Sequence, residues 1–248
     1  MSANIYIYNN FVDLINLIEY LIMNKIKPLN IKDNKYSPSL LDNLVYLKIQ
    51  EKNIKNFISL IGINNFKIIY HIYLSKDENK ELIMYYYALN SCIYKDVIIY
   101  KRNLNCVNKA LKIYNYVKRE NHKFKGFTRF KELNKNVLYA EINPENNIIE
   151  LLSNHFKVRL KYEYWIIKDI NRNIISFYNK KDYFIVNGEN YKLLDSNLSG
   201  NELEIQKLWK KFYQTIGIES RKNERCRMNF MPKKYWDYIL EVSDEKSC

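Results

Sequence analysis

The spacing of apolar residues changes near Asn121, and that change constrains the fold more than any other feature of this chain. Before it, the pattern is helical. Phe11 to Ile26 places apolar residues at 11, 14, 15, 18, 21, 22 and 26, one face of a helix. Lys52 to Tyr116 continues mostly helical, with breaks near Gly62, Lys76 and Lys95. The run Tyr85-Tyr86-Tyr87 lies inside one of these helices, where core packing suits it better than base stacking. Ile5 to Tyr8 reads as a short strand, Pro28 to Pro38 as a polar loop, and Leu44 to Ile49 as a second strand.

After Asn121 the alternation has period two. Phe124 to Leu133 and Val137 to Ile142 flank Asn134-Lys135-Asn136 and predict a hairpin. Asn143-Pro144-Glu145 carries a cap residue, a first-turn proline and an acid, predicting a helix that runs to about Leu160. Tyr164 to Ile170, Ile174 to Tyr178 and Tyr183 to Val186 predict three more strands. Ser199-x-x-Glu202 has capping-box spacing before a helix with Ile205, Leu208, Trp209, Phe212 and Ile216 on one face. The expected class is α+β. Residues 1–120 form a helix-rich region with one or two short strands. Residues 121–248 form an α+β domain whose mainly antiparallel sheet of about five strands is packed by helices.

Composition narrows the function classes. With 5 Gly and 4 Pro in 248 residues there is little room for long flexible linkers. The net charge of +13 suits a polyanion, although drift toward Lys, Asn, Ile and Tyr accounts for it equally well. Its distribution says more. Lys118 to Lys135 holds seven basic and two acidic residues, and Glu219 to Lys234 holds six and two. Arg129, Arg159, Arg172, Arg221, Arg225 and Arg227 all fall past the midpoint of a chain that otherwise prefers Lys, which suggests planar bidentate contacts to phosphate or carboxylate. Cys92, Cys106, Cys226 and Cys248 form no C-x-x-C pair and have no His at zinc spacing, so neither a metal nor another cofactor is expected. Free thiols fit a reducing cytoplasm. No leader is expected at the start of the chain, and Asp13, Asn16, Glu19 and Asn24 interrupt its first apolar stretch, so no membrane partner is expected. No P-loop, G-x-G-x-x-G, H-E-x-x-H or nucleophile elbow is present.

Four constellations could carry chemistry. In Gly126-Phe127-Thr128-Arg129-Phe130, read as a strand, Phe127 and Arg129 share a face and could hold a base and its phosphate; an edge strand with core phenylalanines is the alternative. His155 and Arg159 lie four apart on the apolar stripe of a helix. Asp169 ends the strand that begins near Trp165, and it has Arg172, Arg159 or His155 as candidate partners. A His155/Arg159/Asp169 cluster is either a catalytic site or an internal ion-pair network. Arg221, Lys222, Arg225, Arg227, Lys233 and Lys234 interleave with Phe230, Tyr235 and Trp236, in the manner of a nucleic-acid surface or of a basic loop closing on the core.

These segments, in order, resemble a known family. The runs Gly126-Phe127-Thr128-Arg129-Phe130, Leu138-Tyr139-Ala140-Glu141-Ile142-Asn143-Pro144, His155-Phe156-x-x-Arg159, Trp165-Ile166-Ile167-x-Asp169, Leu208-Trp209-x-x-Phe212-Tyr213, Ile218-Glu219-x-Arg221-x-Asn223 and Phe230-Met231-Pro232-Lys233-x-Tyr235-Trp236 are similar to a bacterial family of DNA-metabolism or DNA-repair proteins. Its members are encoded beside a radical-SAM protein, and some are fused to a uracil-DNA-glycosylase-like domain. The resemblance is dense from about Lys123 to Glu241 and thinner before. At the start, Asn9-Asn10 replaces the family's more usual Asp-Gly turn.

The resemblance implies a DNA-binding accessory protein in a repair or modification system, with a separate radical-SAM protein as partner. Nucleic-acid contacts are then expected from Lys123, Lys125, Phe127, Arg129, Arg172, Arg221, Arg225, Arg227, Lys233 and Lys234. The alternatives are a nucleic-acid-processing enzyme using His155, Arg159 and Asp169, or an RNA-binding or structural module.

Overall fold

The structure is a computed structural model that describes residues 4–39, 42–47, 54–133, 136–190, 198–216 and 218–240. The chain divides into two units, 1–119 and 120–248.

The first unit is organised by β1 (Asn4–Tyr8). Ile5, Tyr6, Ile7 and Tyr8 are all buried, because β1 is the middle strand of a parallel sheet. Such a strand is covered on both faces and reads as an unbroken apolar run. α1 (Phe11–Met23) follows, with Asn10 Oδ1 accepting from the Asp13 N–H at 3.0 Å as an N-cap. The parallel neighbours are β2 (Asn30–Asp33) and β3 (Asn43–Tyr46). β2 falls where a polar loop was expected. Only Ile31 of this strand is fully buried, and main-chain pairing with β1 supplies what side-chain pattern does not.

α2 (Ile54–Ile61), α3 (Ile63–Leu74), α4 (Lys80–Tyr94) and the start of α5 (Asn105–Phe127) complete this unit, breaking close to the expected positions. The tyrosine run is core. Tyr85 and Tyr87 are buried and their hydroxyls donate to Ile26 O and Asn65 Oδ1, both at 2.9 Å. Tyr8 donates to Glu81 at 2.8 Å, tying β1 to α4; burial, then the Glu81 charge, pushes this phenol far up. No single helix among the described residues is long and apolar enough to cross a membrane.

The second unit holds a five-stranded sheet in sequential order: β4 (Lys131–Leu133), β5 (Val137–Ile142), β6 (Tyr164–Asp169), β7 (Ile174–Tyr178) and β8 (Tyr183–Asn187). All pairs are antiparallel except β5 with β6, which α6 (Ile149–Arg159) connects. Ser153 Oγ of α6 donates to Ser176 Oγ of β7 at 2.7 Å, fixing the helix on one sheet face. The α+β class and mostly antiparallel five-stranded sheet are as expected.

Two further local expectations need correction. Gly126 and Phe127 end α5 rather than opening a strand, and Thr128 Oγ1 caps the helix end by donating to Phe124 O at 2.6 Å. Phe124, Phe127 and Phe130 are three apart, so the same apolar residues satisfy helical spacing. The helix expected from Asn143 begins only at Ile149; before it, Glu145 and Asn146 form a turn whose N–H groups donate to the carboxylate of Glu120. Of the hairpin turn expected at 134–136, residues 134–135 lie outside the described residues.

α7 (Gly200–Ile216) forms, and the Glu202 N–H donates to Ser199 Oγ at 3.1 Å. The reciprocal half of the capping box is missing, since the Ser199 N–H goes to Glu132 O and Glu202 accepts from the Glu132 N–H. Its apolar face is turned outward, with Leu208 66% and Phe212 51% exposed.

Gly62 joins α2 to α3 with φ 90° and ψ 149°. This backbone region is almost closed to residues bearing a Cβ, although a Cβ there makes only ordinary contacts, with Asp96 Oδ1 at 3.5 Å and Asn65 Nδ2 at 3.9 Å. The cost of Gly62→Ala is therefore conformational and is expected to be about 1–3 kcal/mol in urea unfolding. An unchanged midpoint would show that the backbone does not adopt this conformation.

Candidate nucleic-acid interface

Glu120 is buried near the end of α5, and its carboxylate organises the turn after β5. It accepts from the N–H groups of Glu145 and Asn146, each at 2.9 Å, and from Asn146 Nδ2 at 2.6 Å. Three donors around one buried carboxylate offset its desolvation. The far side of the same turn is held by Arg172, which donates to the carbonyls of Pro144 and Glu145 and to Asp169 Oδ2 at 3.0 Å. Burial pushes the Asp169 carboxyl up, and Arg172 opposes it through charge and hydrogen bonding. The planar fork expected of a retained Arg is thus present at Arg172, but it binds carbonyls and a carboxylate of the same chain.

The turn also anchors the C-terminal basic segment. Lys234 pairs with Glu145 at 2.8 Å. Next to it, Tyr235 and Trp236 are buried, and Phe124 and Phe127 lie 5.2 and 5.1 Å from the Tyr235 ring centroid. Cations gather over these two rings. Lys123 and Lys234 stand 5.7 and 5.1 Å from the Tyr235 centroid. Arg227 of α8 (Glu224–Phe230) and Lys233 stand 4.7 and 5.5 Å from that of Trp236. At such distances the ring quadrupole orients the charge. The two basic segments, about a hundred residues apart in sequence, meet here with buried aromatic rings as their floor.

The remaining expected residues scatter. Arg221 and Arg225 are exposed and have no partner among the described residues. Arg129 lies 3.7 Å from the buried Glu202. Phe127 packs on Tyr235 rather than standing open beside Arg129. Asp169 pairs with Arg172, not with Arg159 or His155. Arg159 is exposed at the end of α6, whereas Asp169 is buried at the far end of β6. His155 instead has Lys125 and Arg159 as charged neighbours, and burial followed by these two charges pulls its imidazole below the usual value. The three-residue cluster of His155, Arg159 and Asp169 does not assemble.

Sequence reasoning missed Glu120 and Asn146. The available signal was an acid inside a strongly basic run, on the same helix face as the apolar Val117 and Phe124. Among the described residues no group of three or more His, Cys, Asp and Glu side chains could hold a metal ion.

Fold and site together define a basic α+β protein with a cation-on-aromatic ridge. The chain belongs to the family of the domain of unknown function DUF4130, whose model matches residues 78–241. The match starts ahead of α4 and so reaches well before the segment where the sequence motifs are dense. No curated protein and no solved structure matches the chain.

Removing Arg172 leaves the fully buried Asp169 without its cation, so Arg172→Ala is expected to cost about 3–5 kcal/mol in chemical unfolding. Arg159→Ala, at an exposed position, should stay within about 0.5 kcal/mol. Equal losses would put Arg159 back into the Asp169 network. For His155 the depressed folded value means that the unfolded chain binds more protons as pH falls through about 6.5. Its contribution is neutral above that value and destabilising below it. His155→Gln should therefore lose less stability than the parent between pH 7.5 and about 5.5. Parallel pH profiles would rule out the buried imidazole.

Proposed function

We propose that this protein binds nucleic acid, DNA above all, through the ridge built on Tyr235 and Trp236, as an accessory factor in a DNA repair or modification system. The observation that carries the reading is the convergence of Lys123, Arg227, Lys233 and Lys234 on two adjacent rings. Compositional drift gives basic residues no reason to meet. A polyanion track requires that they do. Tyr235 and Trp236 are each 2% exposed, so their faces are closed to bases. The cations above them suit phosphates, and exposed Arg221 and Arg225 extend the same chemistry.

The DNA-repair setting and a separate radical-SAM partner rest on the family resemblance of the motifs, and a cytoplasmic location on the cysteines read as free thiols. The enzyme alternative is weakened because Asp169 is paired with Arg172, while the charges acting on His155 are those of Lys125 and Arg159.

Fluorescence anisotropy with labelled DNA should give affinity that falls steeply with salt. The log–log slope is about −0.9 per phosphate on a duplex and about −0.7 on a single strand. Combining Arg225→Ala with Lys233→Ala should shrink that slope by roughly one to two units. Salt-independent binding, or tighter binding of the matching RNA, would defeat the DNA reading. Co-purification with a radical-SAM protein from the same cell tests the partnership separately.

A further inference from the structure

The sheet of the second unit has one face under α6 and another that points away from it. Ser176 meets Ser153 of α6, so by alternation Trp165, Ile167, Ser176 and Tyr178 face the helix. Their neighbours in sequence face the other way. On that second face the strand registers align one residue from each of five strands in a single row. Lys131 pairs with Tyr139, Tyr139 with Ile166, Ile166 with Phe177, and Phe177 with Phe184.

The row is open. Phe184 is 47% exposed, and Tyr139, Ile166 and Phe177 are half-buried. Phe177 and Phe184 are stacked, with centroids 5.3 Å apart and planes at 27°. Beside the row Tyr164 is also 47% exposed, with Lys180 Nζ 4.4 Å from its ring centroid. A cavity of about 380 Å³ opens here, lined by Tyr164, Ile166, Ile175, Phe177 and Val186 among others. Three lysines frame the face: Lys131 on the edge strand β4, Lys168 in the next row, and Lys180 in the turn between β7 and β8. Glu141 shares the face and accepts from the Tyr139 hydroxyl at 2.8 Å.

We infer that this face is a stacking platform for the unpaired bases of single-stranded nucleic acid, with Phe177 and Phe184 beneath the bases and the lysines beside the phosphates. The inference rests on the nucleic-acid reading above and specifies its strand state. Open rings on adjacent strands offer π-faces that any unpaired base can use, whereas duplex bases are already stacked on one another. The framing lysines match a phosphate backbone better than they match an apolar protein surface. The rings of Tyr235 and Trp236 are closed, so the stacking contacts are assigned to the sheet face.

The test uses the full chain, a labelled oligo-dT strand of about 15 nucleotides and a duplex of the same length. Phe184 is exposed, so Phe184→Ala is expected to fold as the parent does, which circular dichroism checks. It should bind the single strand about tenfold more weakly, with the duplex affinity and the salt slope unchanged. Photo-crosslinking of a 5-iodouracil strand to the parent protein should label the peptide containing Phe177 or Phe184. If Phe184→Ala, alone and with Phe177→Ala, binds oligo-dT like the parent while Arg225→Ala with Lys233→Ala weakens it, the platform is wrong and the ridge stands. Crosslinks confined to the ridge would likewise rule out the platform. A concentration-dependent dimer that Phe184→Ala abolishes would assign the face to a second copy and overturn the inference. Failure of the parent to bind either oligonucleotide would overturn both readings.

Discussion

One buried carboxylate, Glu120, supports much of the second unit. An ionised carboxylate inside a protein needs several donors, and Glu120 finds three in the turn at Glu145 and Asn146. The turn that satisfies Glu120 occupies the chain before α6, which begins at Ile149. The constrained turn then presents two carbonyls to Arg172, which brings in Asp169 at the end of β6. It also presents the Glu145 side chain to Lys234. The last pair is partly exposed and worth little by itself, so the aromatic contacts of Phe124 and Phe127 with Tyr235 carry more of the anchoring.

The same geometry sorts the charge. Lys123 and Lys125 are two residues apart in α5 and so point about 200° apart around its axis. Lys123 reaches Tyr235, while Lys125 is a charged neighbour of His155. Arg172 is taken up by Asp169, and Arg129 lies beside Glu202. A net charge of +13 therefore overstates what any one face presents. The ridge over Tyr235 and Trp236 still gathers four cations, with Arg227 paired to Glu224 and Lys234 to Glu145.

Legibility varied with the range of the forces involved. β6, β7 and β8 could be read from alternation and polar turns because each strand pairs with the next one in the chain. The positive φ at Asn173 and Lys180 marks those turns. β2 was hidden because an edge strand held mainly by backbone pairing needs few apolar residues. Phe124 to Phe130 was misread because aromatics three apart fit a helix while their flanks also alternate. The signals at Asn143-Pro144-Glu145 were sound local chemistry, but they mark a turn tied to Glu120 of α5, and the helix follows it at Ile149. The aromatic row on the open sheet face was implicit in the alternation, but it required the registers of four strand pairs.

By itself the sequence determined the α+β class, most of the helices and strands, and the supply of basic and aromatic residues in two segments. These follow from periodicity and local backbone preference, which act over a few residues. Tertiary structure alone decided that Asp169 would take Arg172 rather than Arg159, that Lys123 and Arg227 would share an aromatic floor, and that Phe177 and Phe184 would stack in the open. Ion pairs, cation–π contacts and ring stacking depend on separations of a few ångströms in space. Residues far apart in the chain acquire such separations only when the sheet and the turn at Glu120 bring their elements together.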